Sequence, residues 1–186
     1  MAENFQRLSR QIEKIARKLE GAAEELGKKE VKVGVLEGAY EGGTPYAYVA
    51  AIQEYGAPEV SIPPRPFIRP TIAEHRDQWG EFMADGAARV IAGEATIESV
   101  LEPLGADAAG QIQKKISEVN APALSPITVM LRGMRANDPS LVVTGKTVGQ
   151  AAARVAEGKT NYGADDKPLH DSGMLQANIT HLVVSK

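Results

Sequence analysis

Ser61-Ile62-Pro63-Pro64-Arg65-Pro66-Phe67-Ile68-Arg69-Pro70-Thr71-Ile72 packs four prolines into eight residues. Each proline fixes φ, lacks an N–H donor and drives the residue before it toward extended geometry, so neither regular helix nor a central strand fits this stretch. The segment also carries Ile62, Phe67 and Ile68. It therefore reads as a stiff, partly apolar strap, with Arg65 and Arg69 on either side of the Phe67 anchor. Such a strap is suited to making contacts, inside the fold or with a neighbour.

Working outward toward the N-terminus, Tyr46 to Tyr55 reads as a short helix closed by Gly56. Gly38, Gly42, Gly43 and Pro45 form a loop before it, and Val31-Lys32-Val33-Gly34-Val35-Leu36 alternates as a strand. Phe5, Leu8, Ile12, Ile15, Leu19, Ala22 and Leu26 recur at steps of three and four, which predicts an amphipathic helix over about residues 4–27. The apolar stripe lasts only about three heptads, which favours a helix packed across a sheet over a coiled-coil partner.

Working outward toward the C-terminus, a second long helix starts at Pro70, with Ile72, Trp79, Phe82, Met83 and Val90 on its buried face. Thr96 caps a third helical region, which Pro103 and Gly105 are expected to break in two. Ile127 to Leu131 reads equally as strand or short helix. Leu141-Val142-Val143 reads as a strand, Val148 to Ala156 as a helix and Asn161 to Lys167 as a polar loop. Asp171 or Ser172 caps a last helical start before an alternating strand from Asn178 to Val184. A few strands scattered among long helices, without regular β-α-β alternation, predict an α+β fold: a small antiparallel or mixed sheet packed against long amphipathic helices, with an extended proline-rich loop.

The 186 residues suffice for one domain with a core, and 43% hydrophobic with 24% charged residues is a globular composition. A net charge of −3 argues against sequence-independent nucleic-acid binding over the whole surface. The absence of cysteine excludes disulfides, zinc–thiolate sites and cysteine nucleophiles. Met1-Ala2-Glu3-Asn4 runs directly into a charged helical pattern, and no apolar run approaches the roughly 20 residues of a membrane span. The chain reads as soluble, without membrane partners, and made in a cytoplasm.

No catalytic constellation stands out. Thr144-Gly145-Lys146-Thr147 resembles the end of a phosphate-binding loop, but Ser140 stands where the motif needs glycine, so a turn with a helix cap is the better reading. His75, His170 and His181 lack metal-binding spacing. His170-Asp171-Ser172 are adjacent and so cannot converge as a triad. Glu24-Glu25 and Asp165-Asp166 read as solvated surface. These readings predict no enzyme activity, cofactor or metal. Arg65 and Arg69 fit two readings equally: intramolecular salt bridges that lock the strap, or salt bridges to a partner.

Three blocks together carry a resemblance. Gln53-Glu54-Tyr55-Gly56 is followed by Ile62-Pro63-Pro64-Arg65-Pro66-Phe67-Ile68-Arg69-Pro70 and a long helix, and much later by Lys167-Pro168-Leu169-His170-Asp171-Ser172-Gly173-Met174-Leu175. This resembles the tail-component (neck, tail-completion or head–tail joining) family of tailed bacteriophages. Those proteins read Glu-x-Gly, then Pro-x-Arg-Pro-Phe-Leu-Arg-Pro, and finish with Pro-Leu-x-Asp-Thr-Gly-x-Leu before a last strand. The resemblance covers roughly residues 28–132 and 167–186. It implies one α+β domain over 1–132 and 167–186, with 133–166 as an insertion or arm.

The resemblance further implies a structural virion protein, assembled in the host cytoplasm. It would form a sixfold or twelvefold homo-oligomeric ring between the head-closure or connector protein and the tail-terminator or tail-tube proteins. Genome DNA would pass through the lumen without specific binding. Glu54, Arg65, Pro66, Phe67, Arg69 and Asp171 are the expected assembly residues, with Phe67 as the buried anchor of a subunit contact. The competing readings are a tail terminator, a nucleotide-binding or hydrolytic enzyme, and a nucleic-acid-binding module.

Overall fold

The computed structural model describes residues 2–40, 43–159 and 166–186. Among them are seven α-helices and one two-stranded antiparallel sheet, an α+β fold. In chain order these are α1 (Ala2–Lys28), β1 (Lys29–Val35), α2 (Tyr46–Tyr55), α3 (Ile68–Ala92), α4 (Ile97–Glu118), α5 (Pro126–Asn137), α6 (Gly145–Ala156), α7 (Met174–Ala177) and β2 (Ile179–Ser185). The predicted polar loop at 161–167 and Asp165 of the Asp165-Asp166 pair fall mainly or wholly outside the described residues.

The chain divides into two compact units where one interrupted domain was expected. The first comprises Met1–Leu36, Pro70–Ile112 and Ile179–Lys186, and the second Glu37–Arg69 and Gln113–Asn178. The 133–159 stretch belongs to the second unit. There α5 and α6 share a core of Met130, Met134 and Ala151, extended by Ile127, Leu131, Leu141 and Val155.

In the first unit β1 and β2 pair from Lys29↔Ser185 to Val35↔Ile179. One face of α4 lies along this ribbon. Glu98 pairs with Lys29, Glu102 Oε2 lies 2.9 Å from His181 Nε2, and Gly105 approaches Val31 and His181 closely. A Cβ on Gly105 would stand 2.6 Å from His181 Cδ2 and 2.7 Å from Val31 Cγ2. The expected break at Pro103 and Gly105 is absent: α4 runs continuously from Ile97 to Glu118 with Pro103 inside it. Packing of Ile97, Val100, Leu101, Ala108, Ala109 and Ile112 outweighs the local preference. Gly86 of α3 makes a similar close approach, where a Cβ would lie 2.3 Å from Val100 Cγ1.

Other boundaries differ as well. Ile127 to Leu131 is helical, within α5, whose cap is Ser125 with Pro126 at the first position. Leu141-Val142-Val143 is not a strand. It has no pairing partner, Leu141 faces the α5–α6 core, and Val142 and Val143 are exposed. The final helix is a single turn whose cap is Gly173 at φ 71°, not Asp171 or Ser172; the Ser172 hydroxyl accepts from Met174 N–H at 3.4 Å.

The largest departure concerns α1. Its apolar stripe is not covered by the sheet: Phe5 is 72% exposed, Leu8 54%, Ile12 58%, Ile15 58% and Leu19 42%. Only toward its end do Ala22 and Leu26 become half-buried.

Candidate functional site

The strap lies in the second unit, and the residues before it fix its path. Gly56 closes α2 at φ 79°, donating to Ile52 O at 2.7 Å; a Cβ there would also lie 2.9 Å from Ile62 O. Glycine is thus required both for conformation and for space. Ala57 and Ile62 exchange two backbone hydrogen bonds, at 2.9 and 3.0 Å, closing a tight turn over Pro58–Val60. Arg65 N–H then donates to Gln53 O at 2.6 Å, tying the strap back to α2.

Glu54 is the centre of this arrangement. It is 2% exposed, on the buried face of α2 with Tyr46 and Ala50. Its Oε2 accepts from the N–H groups of Phe67 (2.7 Å) and Ile68 (2.9 Å), and its Oε1 from Arg69 N–H (3.0 Å). These are donors of the first turn of α3, which have no partner within the helix, so Glu54 caps α3 from 13 to 15 residues upstream. Arg69 completes the lock. Its Nε donates to Glu54 Oε1 at 2.9 Å, its Nη2 donates to Glu54 O at 2.6 Å, and its guanidinium lies 4.8 Å from the centre of the Tyr55 ring. Burial pushes the Glu54 carboxyl up, but hydrogen bonds from Ile68, Phe67 and Arg69 outweigh it and hold the group below its ordinary range.

Arg65 is 4% exposed and turned inward. Its Nε donates to Pro122 O at 2.7 Å and its Nη2 to Ala123 O at 3.0 Å, with Gln53 Oε1 at 3.5 Å from Nη1. The fork thus clamps the strap to the 122–123 loop through carbonyls. Burial, and then the charge of Arg132, push its pKa down. Pro66 is half-buried and Phe67 is 0% exposed within its own chain. The anchor role expected for Phe67 in a subunit contact is therefore not open to it, because no ring surface remains for a partner to bury. Of the two readings for the arginines, both engage partners within the chain; Arg69 remains on the surface.

Asp171 belongs to a different cluster of the same unit. Its carboxylate stands 3.4 Å from Arg132 Nε and 3.8 Å from Arg135 Nη1, and Arg132 Nη1 donates to Lys167 O at 2.8 Å. Asp171, Arg132 and Arg135, with Tyr40, Gln53 and Thr128, line a cleft of about 440 Å³. Tyr40 is pushed up by burial and by the neighbouring Tyr46 and Asp171. Arg132 and Arg135 were not singled out from sequence. Their spacing on α5 is that of any surface pair, and only the fold brings the 167–171 segment to them.

The remaining candidates resolve into structural parts. Thr144 and Thr147 form a reciprocal capping box at the start of α6, with Thr144 N–H donating to Thr147 Oγ1 at 2.7 Å. His75 Nδ1 meets Gln78 Oε1 at 3.2 Å, beside Trp79, and His181 meets Glu102. Among the described residues no group of three or more His, Asp or Glu is placed to hold a metal ion, and no helix is long and apolar enough to cross a membrane. Comparison of the chain with protein-family models, with curated proteins and with solved structures finds no match.

Proposed function

We propose that the chain is a structural virion protein of the head–tail joint of a tailed phage, a neck or tail-completion subunit that assembles as a ring. The observation that carries this reading is the uncovered stripe of α1, where five large apolar side chains share one face in water. A face of that kind marks an interaction surface, and in a ring each subunit covers part of the next. The three sequence blocks behind the resemblance support it in a second way. Glu54, Arg65 and Phe67 are committed to architecture, holding α2, the strap and the start of α3 in one geometry.

The test is genetic and visual. In the phage that encodes it, a null allele is expected to give DNA-filled heads and complete tails that fail to join, with the labelled protein located at the neck of wild-type particles. Joined, infectious particles made without the protein would overturn the reading. Tails of uncontrolled length would replace it with a tail terminator.

A further inference from the structure

The cleft formed by α2, α5 and the 167–175 segment holds chemistry that the strap does not use. It lies wholly within the second unit. Thr128, Arg132 and Arg135 stand at steps of four and three along α5 and so share one side of that helix. The turn from Leu169 to Gly173 faces them. It is bent at both ends, with Leu169 buried at φ 62° and Gly173 at φ 71°. A leucine in the left-handed region is a strained choice, of the kind that gathers at ligand sites. Between these two bends Asp171 is brought to the arginines.

Among the described residues that line the cleft, the charged groups are two guanidiniums and one carboxylate, an excess of +1. A third guanidinium stands behind them: buried Arg65 reaches the lining residue Gln53 at 3.5 Å and feels the charge of Arg132. Asp171 holds its partners loosely. Its oxygens lie 3.4 Å from Arg132 Nε and 3.8 Å from Arg135 Nη1. A charge-assisted hydrogen bond is shorter, about 2.7–2.9 Å. The side chains of Arg135 and Asp171 are both more than half exposed, so an incoming group can reach them. Val49, Leu124, Leu169 and Leu175 supply apolar lining, and Tyr40 and Ser172 supply hydroxyls. The cleft's 440 Å³ falls in the range of small-ligand sites, about 300–1,000 Å³.

We propose that this cleft binds a carboxylate carried on a small apolar body, with the carboxylate on Arg135 and Arg132 and the body against the leucines. The source is either a protein segment, through an acidic side chain or a chain end, or a free organic acid. A single excess positive charge matches one carboxylate, whereas the second charge of a phosphate would be turned toward Asp171. Asp171 is then a resident stand-in that the ligand displaces. This site does not depend on the neck reading.

The test is titration calorimetry on the purified full-length chain, with circular dichroism to verify the fold of each variant. The probes are acetyl-leucine, which has a free carboxylate, and the capped peptide acetyl-Leu-Glu-Leu-amide, which has one on a side chain. Acetyl-leucinamide, acetyl-Leu-Gln-Leu-amide and inorganic phosphate are the controls. At least one carboxylate probe should bind with a Kd below about 10 mM, and its neutral counterpart at least about tenfold more weakly. Arg135→Gln should weaken binding at least about tenfold, and Asp171→Asn, which removes the competing carboxylate, should tighten it at least about threefold. Binding of acetyl-leucine alone assigns the source to a chain end or free acid; binding of the capped peptide alone assigns it to an acidic side chain. The proposal is overturned if neither carboxylate probe binds, if the neutral counterparts bind equally well, or if Arg135→Gln changes nothing. It is overturned equally if Asp171→Asn fails to tighten binding, or if phosphate binds more tightly than both carboxylates.

Discussion

Glu54 is buried, ionised and used four times by one helix start, and its removal should be felt locally. Glu54→Ala would leave the Phe67 and Ile68 N–H groups without their acceptor in the interior, so chemical denaturation should report a loss of about 2–4 kcal/mol. The pH dependence follows from the depressed pKa. Stabilisation from Glu54 is fully present above its ordinary value of 4.5 and is lost as pH falls through the lower folded value. Glu54→Gln should flatten that acid limb, and an unchanged limb would remove Glu54 as its source. Phe67→Ala should cost about 3–5 kcal/mol in folding, the penalty of a core aromatic. At this scale the sequence was only partly legible. The prolines, Gly56 and the arginines announced a rigid strap, but no local rule links a carboxylate in one helix to amides 13–15 residues on. The intramolecular destination of Phe67 was equally hidden, because an apolar side chain in a strap looks the same whether its own core or a neighbour receives it.

Helix identities were the most legible level. The amphipathic period of α1, the limits of α2 and the proline-led start of α3 follow from apolar spacing and end signals. The errors arose where tertiary packing overrode a local breaker or former. Pro103 lies inside α4 because its flanks are buried, and Leu141-Val142-Val143 never pairs because its β-branched residues face solvent and only Leu141 is used. Gly105 looked like a helix breaker and is instead the notch that admits the ribbon; Gly86 does the same for Val100. Gly86→Ala is accordingly expected to destabilise by about 1–3 kcal/mol despite the better helix propensity of alanine. Gly86→Ala with Val100→Ala should recover the steric part, giving a coupling in a double-mutant thermal or urea series that additive behaviour would refute.

On the scale of the whole molecule, the fold class was readable from the mixture of elements, whereas the division into two units was not, since it depends on which non-local segments meet. The chain's organisation is that of a part designed for neighbours: a fixed strap, and a helix with its apolar face in water.

The most direct test of the ring account is the mass of the full-length chain at tens of micromolar by native mass spectrometry, with class averages of the same sample. The account predicts a single closed multiple of the 19.8 kDa subunit, ring-shaped in projection and reduced to one subunit by Ile12→Asp/Ile15→Asp. A wild-type chain that stays at 19.8 kDa, or closes as a two-fold dimer, would contradict it.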